Sequence, residues 1–333
     1  MSEVTLRTLA KELGVSTATI SMVLNNKPGI SDETRKRVLE HVKASGYKVR
    51  TYSGTSRRTK GNTGLIVFKK HGKVVGDTPF FSRLIESIEH QADKEGYGVS
   101  IKYVQPDSSL NDLDKSLQGI LLLATEMDES DLSPFLELSI PIVLLDNGFP
   151  NLQLNTVSID NFGGTGLATT HLLNHGHKRI GYMQSSVPIR NFDERYFSFV
   201  QTLAEAGLKP ADVIKLEPNM EGAYKDMKQW LSVNNLSSTA FVGDNDFIVL
   251  GAIRALREEN IKLGHDISVV GFDDLPFTRF SEPPLTTVRV FNDVMGAVAF
   301  NRLTEIITKP NIPYTHTQVG TALKIRGGVS SLA

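Results

Sequence analysis

Two short helical repeats separated by a glycine occupy the first 25 residues of this 333-residue chain. In the run TLRTLAKELGVSTATISMVLN, Leu6, Leu9 and Leu13 recur at helical spacing and predict one buried helix face. Gly14 then allows a turn, because glycine accepts a positive φ, and Ser16 can cap a second helix. Two short helices joined by such a tight turn predict a helix-turn-helix.

The second helix has two different faces. Ile20, Val23 and Leu24 share one face, which predicts packing against the rest of the module. The opposite face carries small and hydroxyl side chains, and in a helix-turn-helix this face enters the major groove of DNA. A third helix is predicted from Ser31 to a stop at Gly46, so three helices form one small module.

The charge distribution separates this module from the rest of the chain. Residues 1–60 contain 12 Lys and Arg against 5 Asp and Glu, whereas the remainder contains 24 against 32. A helical hairpin inside a core is the alternative interpretation of the two helices alone. A basic module attached to an acidic body favours DNA binding, because the module attracts phosphates that the body repels.

Composition limits the class of protein. The chain is 40% hydrophobic and 22% charged, and it contains no cysteine. The N-terminus is helical and polar, and no run approaches the roughly 18 consecutive apolar residues that a membrane span requires. We therefore expect a cytoplasmic protein without disulfides and without membrane contact.

A basic linker precedes the larger part of the chain. The segment KVRTYSGTSRRTKGN is rich in Ser, Thr and Gly and has no apolar periodicity, which predicts a linker. After it, short Val/Ile/Leu-rich strands alternate with amphipathic helices in two consecutive series. This pattern predicts an α/β core of two parallel-sheet, Rossmann-like lobes with a cleft between them, where strand ends bring polar groups together.

The residues resemble those of the lactose/galactose repressor (LacI/GalR) family along essentially the whole chain. The resemblance rests on LAKELGVSTATISMVLNNKPGISDETRKRVLEHVKASGY at the N-terminus and on VSIDNFGGTGLATTHLLNHGHKRIGYM and DISVVGFDDLPFTRFSEPPLTTVRV in the body. It implies an all-α helix-turn-helix head on a periplasmic-binding-protein-like core. It also implies a homodimer that binds a pseudo-palindromic double-stranded operator and is controlled by a small molecule in the cleft.

These observations predict three parts. The expected boundaries are 1–48 for the DNA-binding head, 49–62 for the hinge or linker, and 63–333 for the effector-binding and dimerisation core. Within the core, one lobe is expected at about 63–160 plus 290–320, and the other at about 161–289 plus 321–333.

The predicted DNA contacts come from the head and the linker. In the resemblance, the recognition-helix positions that face base edges or phosphates include Ala18 and Met22, which are apolar and therefore suited to thymine methyl groups or to DNA shape. The full predicted set is Thr5, Ser16, Thr17, Ala18, Thr19, Ser21, Met22, Asn25, Arg50, Arg57 and Arg58.

The linker departs from the family pattern. Where family members usually carry a Pro-Asn pair and then a helix with a leucine that wedges into the minor groove, this chain has Val49, Arg50, Gly54 and Ser56. Gly54 disfavours a helix, and no apolar wedge is present to kink the DNA. Two interpretations stay open, namely arginines that follow phosphates or a solvated flexible tether.

The resemblance places a polar effector site in the core. Its sugar-contacting positions correspond to Asp146, Arg195, Asn245 and Asp273, residue types that can bind hydroxyl groups by accepting, donating or both. Phe80 and Phe81 open the first core helix at the cleft rim, where a ring can cover the C–H face of a sugar, although core packing is an equal alternative. The expected effector is a sugar or a sugar phosphate.

Three further residues of the core are not expected to bind the effector. Pro218 stands at a frequent aromatic position of the family, which weakens one stacking wall. Asp160 and Asp274 are expected to cap helices or turns.

Three other patterns in the sequence are found in enzymes, but each is incomplete here. The glycines of the FGGTG run form only part of a dinucleotide-binding fingerprint, so NAD is not expected. The histidines of HLLNHGH lack further ligands for a metal site. The acidic pairs at 244/246 and 273/274 suggest glycoside hydrolysis only by residue type. We therefore predict no catalytic residue, no cofactor and no metal.

The sequence thus predicts a sequence-specific regulator of transcription, specifically a repressor of carbohydrate-use genes. The chain lacks leucine heptads after its last strand, which predicts dimers rather than tetramers. A regulator of the same family governed by a protein corepressor on the first lobe is the alternative. An NAD-dependent or glycoside-processing enzyme is a more distant one.

Overall fold

The computed structural model describes residues 59–76, 78–149 and 151–332, together with positions 13, 15, 19, 23, 34, 36–38 and 41. The chain divides into two compact units, Met1–Thr59 and Lys60–Ala333. Each unit is described separately below.

Most described residues of the first unit are helical, the exceptions being Val15 and Thr59. Leu13, Val23 and the described positions between 34 and 41 are all in α-helix. Val23 is 3% exposed, as the predicted inward face of the second helix requires, and Val38 is 1% exposed. Arg37 donates a hydrogen bond of 2.9 Å from Nη2 to the carbonyl of Leu13, which satisfies one carbonyl of the first helix.

The first lobe of the larger unit contains a six-stranded parallel sheet. Its order is β11-β5-β4-β3-β1-β2. Its strands are β1 (Gly61–Phe68), β2 (Tyr97–Val104), β3 (Leu117–Leu123), β4 (Ile142–Leu145), β5 (Asn155–Ile159) and β11 (His316–Val319). Its helices are α1 (Pro79–Glu95), the short α2 (Ser133–Leu136) and α7 (Asn292–Thr308), and a 3-10 turn covers Glu129–Leu132.

The second lobe repeats this architecture. Its sheet order is β12-β10-β9-β8-β6-β7. Its strands are β6 (Ile180–Ser185), β7 (Val213–Leu216), β8 (Ala240–Gly243), β9 (Ser268–Asp273), β10 (Thr286–Arg289) and β12 (Ala322–Lys324). Its helices are α3 (Asn161–Asn174), α4 (Arg190–Glu205), α5 (Met220–Val233) and α6 (Asp246–Glu258), and a 3-10 turn covers Pro276–Arg279.

The central strands of both sheets are buried, as the apolar strand runs predict, whereas the edge strands β2 and β7 are partly exposed. In β3, for example, Ile120 through Leu123 are each at most 1% exposed. Strands covered on both faces by helices need apolar residues at every position, whereas half-exposed strands would alternate. The expected two-lobed α/β fold is therefore confirmed.

Two details differ from the expectation. β1 begins at Gly61 rather than at 63, because Gly61 and Asn62 already pair with Tyr97 and Gly98 of β2. β12 pairs antiparallel with β10. The other strands of both sheets end at the cleft between the lobes. The chain leaves β11 at this cleft and enters β12 from there, so β12 runs away from the cleft.

The chain passes between the lobes three times. The crossings follow β5, β10 and β11. The carboxyl ends of the parallel strands in both lobes therefore face the same cleft. Within the described residues, no helix combines the length and the apolar character needed to cross a membrane.

Candidate functional site

A cavity lies between the two lobes at the carboxyl ends of their strands. The space between its walls, counted out to the open mouth, is about 670 Å³. Its position at the carboxyl ends of the strands is typical of small-molecule sites in α/β proteins. All six residues predicted as effector contacts line it, namely Phe80, Phe81, Asp146, Arg195, Asn245 and Asp273.

Asp146 follows β4 directly and is 1% exposed. Its carboxylate accepts hydrogen bonds from Thr125 Oγ1 at 2.7 Å and from Asn191 Nδ2 at 3.1 Å. Burial raises the pKa of Asp146 to about 6, and the Thr125 hydrogen bond and the charge of Arg195 offset part of that rise. The carboxylate is thus held in one orientation at the cavity wall.

Arg195, near the middle of α4, connects several parts of the site and is 3% exposed. Its Nε donates to Asn161 Oδ1 at 2.9 Å, and its Nη1 donates to the carbonyl of Asp244. The same Nη1 lies 3.6 Å from Asp273 Oδ1, and the guanidinium lies 3.7 Å from the ring centroid of Phe272. Its cation is therefore balanced and stacked inside the second lobe.

Asp273 ends β9 with φ 112°, a conformation that side chains rarely adopt. Burial raises its pKa to about 7, with the charge of Arg195 opposing the rise and the charges of Asp146 and Asp244 adding to it. The backbone is held in this unusual conformation at the position where the carboxylate borders the cavity.

Asp244 lies behind the cavity wall and is fully buried. It accepts from the Tyr182 hydroxyl and from the Ser185 N–H, both at 2.6 Å. Burial raises its pKa to about 7. Its side chain therefore holds β6 and β8 together and does not line the cavity.

Asp246 is also turned away from the cavity. It accepts from Thr287 Oγ1 at 2.6 Å and from the Leu275 N–H at 2.8 Å, and burial raises its pKa. The carboxylates at 244 and 246 thus bind two different parts of the second lobe, so they do not form the acid pair that glycoside hydrolysis uses.

Two asparagines border the cavity as helix caps. Asn245 Oδ1 accepts from the Ile248 N–H at 2.9 Å at the start of α6. Asn219 Oδ1 accepts from the Gly222 N–H at 2.8 Å at the start of α5. Because each cap uses the amide oxygen, the amide nitrogen is the group left for a ligand.

Aromatic rings form the apolar part of the wall. Phe80 and Phe81 are 7% and 6% exposed and meet edge to face, with centroids 4.9 Å apart. Phe192 and Phe247 line the second lobe, and Pro218 lines it as well. Phe192 and Phe247 thus supply aromatic surface in the lobe where Pro218 was expected to weaken it.

A loop after β1 forms the edge of the first lobe. The Glu126 side chain is fully buried and accepts four backbone N–H bonds, from residues 71, 72, 74 and 75, at 2.8 to 3.0 Å. These hydrogen bonds lower its pKa in spite of the opposing effect of burial. The loop carries Lys73, Val74 and Gly76 to the cavity, so Glu126 shapes that wall without touching it.

Of the two acidic residues expected to cap helices or turns, Asp160 does so, whereas Asp274 is held in an ion pair instead. Asp160 Oδ1 accepts from the Gly163 N–H at 2.8 Å as the cap of α3. Asp274 pairs with Arg326. The glycines of the FGGTG run lie in α3, where a Cβ on Gly164 would come within 2.9 Å of the Phe272 ring, so Gly164 allows that helix to pack on β9.

The three histidines of the HLLNHGH run are close but have separate partners. The rings of His171 and His175 lie 4.3 Å apart, and His177 contacts Thr239 Oγ1 and the carbonyl of Ser330, each at 3.0 Å. Among the residues the structure describes, no group of three or more His, Asp or Glu is arranged to hold a metal ion.

Sequence reasoning missed several groups at the cavity. Thr78, Thr125 and Asn191 line it, and Glu126 shapes its loop. Thr78 precedes the proline that starts α1, which is the only local signal for it. The others act through partners that are distant in the sequence, which no local pattern records.

The predicted DNA contacts fall almost entirely outside the described residues. Thr19 is described, and it is helical and half-buried. The other predicted contacts lie outside the described residues: Thr5, Ser16, Thr17, Ala18, Ser21, Met22, Asn25, Arg50, Arg57 and Arg58.

Two family models match the chain. Residues 5–49 match "Bacterial regulatory proteins, lacI family", and residues 169–329 match "Periplasmic binding protein-like domain". The HTH-type transcriptional repressor PurR of Mannheimia succiniciproducens is 32% identical over 343 residues, which is 99% of both chains. That of Pasteurella multocida is 31% identical, covering 98% of this chain and 99% of its own.

Solved structures share the fold. A complex of the transcriptional regulator CelR with cellobiose has a TM-score of 0.71 at 24% identity, covering 98% of this chain and 99% of that one. A lac repressor dimer bound to operator and the anti-inducer ONPF has a TM-score of 0.70 at 22% identity, covering 99% and 100%.

Proposed function

The chain belongs to the lacI family of bacterial regulatory proteins, and we propose that it is a transcription repressor that binds operator DNA as a homodimer under the control of a small-molecule effector. The observation that carries this proposal is the 32% identity to a PurR repressor across 99% of both chains. This match includes the head and the core together, so it supports both DNA binding and effector control. The protein acts by binding and not by catalysis.

The effector binds in the cavity between the lobes. Asp146 and Asp273 accept hydrogen bonds from its hydroxyl or N–H groups, Asn245 donates to it, and the phenylalanines cover its apolar faces. A sugar-like molecule satisfies these groups, in line with the cellobiose bound by the CelR relative. The regulated genes are those for the use of such a compound.

Effector binding is linked to DNA binding through the movement of the lobes. Three chain crossings join them, so a ligand that contacts both lobes changes the angle between them at the crossings. In a homodimer, this change alters how the two first lobes pack and thereby the spacing of the two heads. A coupling free energy of about 1–3 kcal/mol is enough for regulation.

The head reads the operator through its second helix. Thr17 and Ser21 supply hydroxyl contacts, and Ala18 and Met22 contact thymine methyl groups or read DNA shape. The basic linker, with Arg50, adds contacts to phosphates, so affinity falls steeply with salt.

DNase footprinting of the full-length protein on genomic fragments from its source tests the proposal. We expect a protected pseudo-palindrome whose protection changes when the matching metabolite is added. Thr17→Ala and Met22→Ala should each reduce the ratio of operator to scrambled-DNA affinity about tenfold. Absence of any protected palindrome across metabolite conditions would refute the DNA-binding function.

A further inference from the structure

Carboxylates outnumber available cations around the cleft cavity. Asp146 and Asp273 line its wall, and the buried Asp244 lies behind them, with its carbonyl bonded to Arg195. Among the described residues that line the cavity, only Arg195 and Lys73 are cationic.

Both of these cations already have partners. Lys73 lies at the rim, where its Nζ is 3.5 Å from Glu217 Oε1. Arg195 binds Asn161 through Nε, and its Nη1 faces Asp273 at 3.6 Å. Of the three guanidinium nitrogens of Arg195, Nη2 alone has no hydrogen bond within the described part of the chain. The side chain therefore cannot bind an anionic ligand through two nitrogens at once.

This arrangement disfavours an anionic ligand. A phosphate or carboxylate that leaves water for a confined site needs charge-assisted hydrogen bonds to replace its hydration. Above the raised pKa values of Asp146 and Asp273, about 6 and about 7, it would meet two ionised wall carboxylates at short range, where the repulsion is stronger than in water. An uncharged donor of hydrogen bonds would instead be attracted by the same carboxylates.

The remaining wall suits a ring. Phe80, Phe81, Phe192 and Phe247 all border the cavity, and the first two are locked edge to face. Aromatic walls gain most from ligands with an apolar flat or ring-shaped face.

Three polar groups are left to meet such a ligand at its edge. The amide nitrogens of Asn219 and Asn245 are available, because their oxygens cap helices. The Thr78 hydroxyl is buried, borders the cavity, and has no hydrogen-bond partner among the described residues. A buried hydroxyl without a partner is uncommon and costly, which indicates that a ligand group satisfies it.

We infer that the cavity takes an uncharged ring compound whose edge carries hydrogen-bond donors toward Asp146 and Asp273 and a polar group toward Thr78, and that it rejects the phosphorylated form of the same compound. The inference rests on the proposed effector control and specifies its chemistry. It removes sugar phosphates from the expected effectors.

Matched pairs of compounds test the inference. Thermal shift and calorimetry on the full-length protein at about pH 8, where both wall carboxylates are ionised, would compare glucose with glucose 6-phosphate, ribose with ribose 5-phosphate, and adenosine and cytidine with their 5′-monophosphates. In every pair that binds, the uncharged member should bind at least tenfold more tightly. A tighter phosphate, or no binding by any member, would overturn the inference. Operator footprinting without ligand reports DNA binding separately, so failure of the proposed function is distinguishable.

Two variants test the named contacts with an uncharged compound that binds. Thr78→Val should weaken its binding about fivefold without lowering the melting temperature, because the hydroxyl has no protein partner. Thr165→Val is the matched control, since the Thr165 hydroxyl is also buried without a partner but lies outside the cavity. Asp273→Asn should reduce about tenfold the ratio of the affinity for the uncharged compound to the affinity for its phosphate. Unchanged affinity in Thr78→Val, or unchanged preference in Asp273→Asn, would contradict the assignment.

Discussion

The side-chain amine of Lys73 lies 3.5 Å from the carboxylate of Glu217, and this ion pair joins the two lobes across the mouth of the cleft. Lys73 belongs to the loop that Glu126 holds in the first lobe, whereas Glu217 follows β7 in the second. Both side chains are partly exposed, so the pair is screened by solvent and worth at most about 1 kcal/mol. A pair of this strength can bias closure without preventing opening.

Charge reversal at this pair should weaken effector binding. Glu217→Lys places two cations at the mouth, and we expect affinity to fall two- to fivefold at low salt, with recovery in the Lys73→Glu/Glu217→Lys double variant. Calorimetry at about 0.05 M and 0.5 M salt measures this, and the difference should shrink at high salt. Glu259→Lys, an exposed change of the same charge that lies away from the cavity and from this ion pair, is the control. An equal loss there would remove the ion pair as the cause.

Removal of the negative charge of Glu126 should loosen the loop that borders the cavity. In Glu126→Gln, an amide NH₂ replaces a carboxylate oxygen that accepts hydrogen bonds from two backbone N–H groups. We expect the free energy of unfolding to fall by about 2 kcal/mol. Urea denaturation measures the loss, and faster amide exchange confined to residues 71–75 locates it. The exposed Glu137→Gln should change neither. Undisturbed exchange in Glu126→Gln would disprove the role of the carboxylate.

Arg195 should matter more than the other arginine of α4. Arg195→Met leaves Asp273 without its cationic partner in a buried site, and we expect about 3 kcal/mol of destabilisation. Arg190→Met breaks only a partly exposed i,i+4 pair with Glu194 and should cost about 0.5 kcal/mol. Urea denaturation of both variants gives the comparison. Similar losses would mean that the pairing with Asp273 is not important.

The buried carboxylates should make the protein less stable as pH rises. Asp273 has a pKa of about 7 in the folded state, against about 3.9 when unfolded, so the folded state holds its proton longer. Its stabilising contribution is complete below about pH 4 and is lost as pH rises through about 7. The pKa of Asp128 is lowered to about 2 by Lys70, so its titration changes the stability of the protein only below about pH 4.

The measurement is the urea midpoint of the wild type and of Asp273→Asn at several pH values between 4.5 and 8. The difference between the two proteins cancels titrating groups that do not interact with Asp273, such as His171 and His177, whose pKa values are lowered by burial. We expect the variant to gain stability relative to the wild type toward pH 8. A constant difference would show that Asp273 has no raised pKa.

Much of the cavity could be predicted because its main residues follow strands. Asp146 and Asp273 each come at the end of a strongly apolar run, and parallel strands deliver such residues to one edge. The resemblance to known regulators added Arg195, which sits inside a helix where periodicity alone gives no reason to choose it. The burial of Phe80 and Phe81 also follows from their position at the start of an amphipathic helix.

Other features depend on contacts between distant segments. Glu126 looks like an ordinary loop residue in the sequence, and only the fold brings the backbone of residues 71–75 around it. Asp244 borders a strand just as Asp146 does, yet its side chain turns to Tyr182 and away from the cavity. Equivalent local patterns thus lead to different roles because the neighbouring strands differ.

The three crossings also set the order in which the molecule can be completed during synthesis. Helix α7 covers β3, β4 and β5 with Met295, Phe300 and Leu303, yet it is translated after the whole of residues 161–289. A nascent chain translated only through β10 therefore leaves exposed the part of its first sheet that α7 covers, next to the part already covered by α1. Each lobe receives its last strand, β11 or β12, only at the end of translation, and until then the uncovered apolar area of the first sheet can associate with other chains.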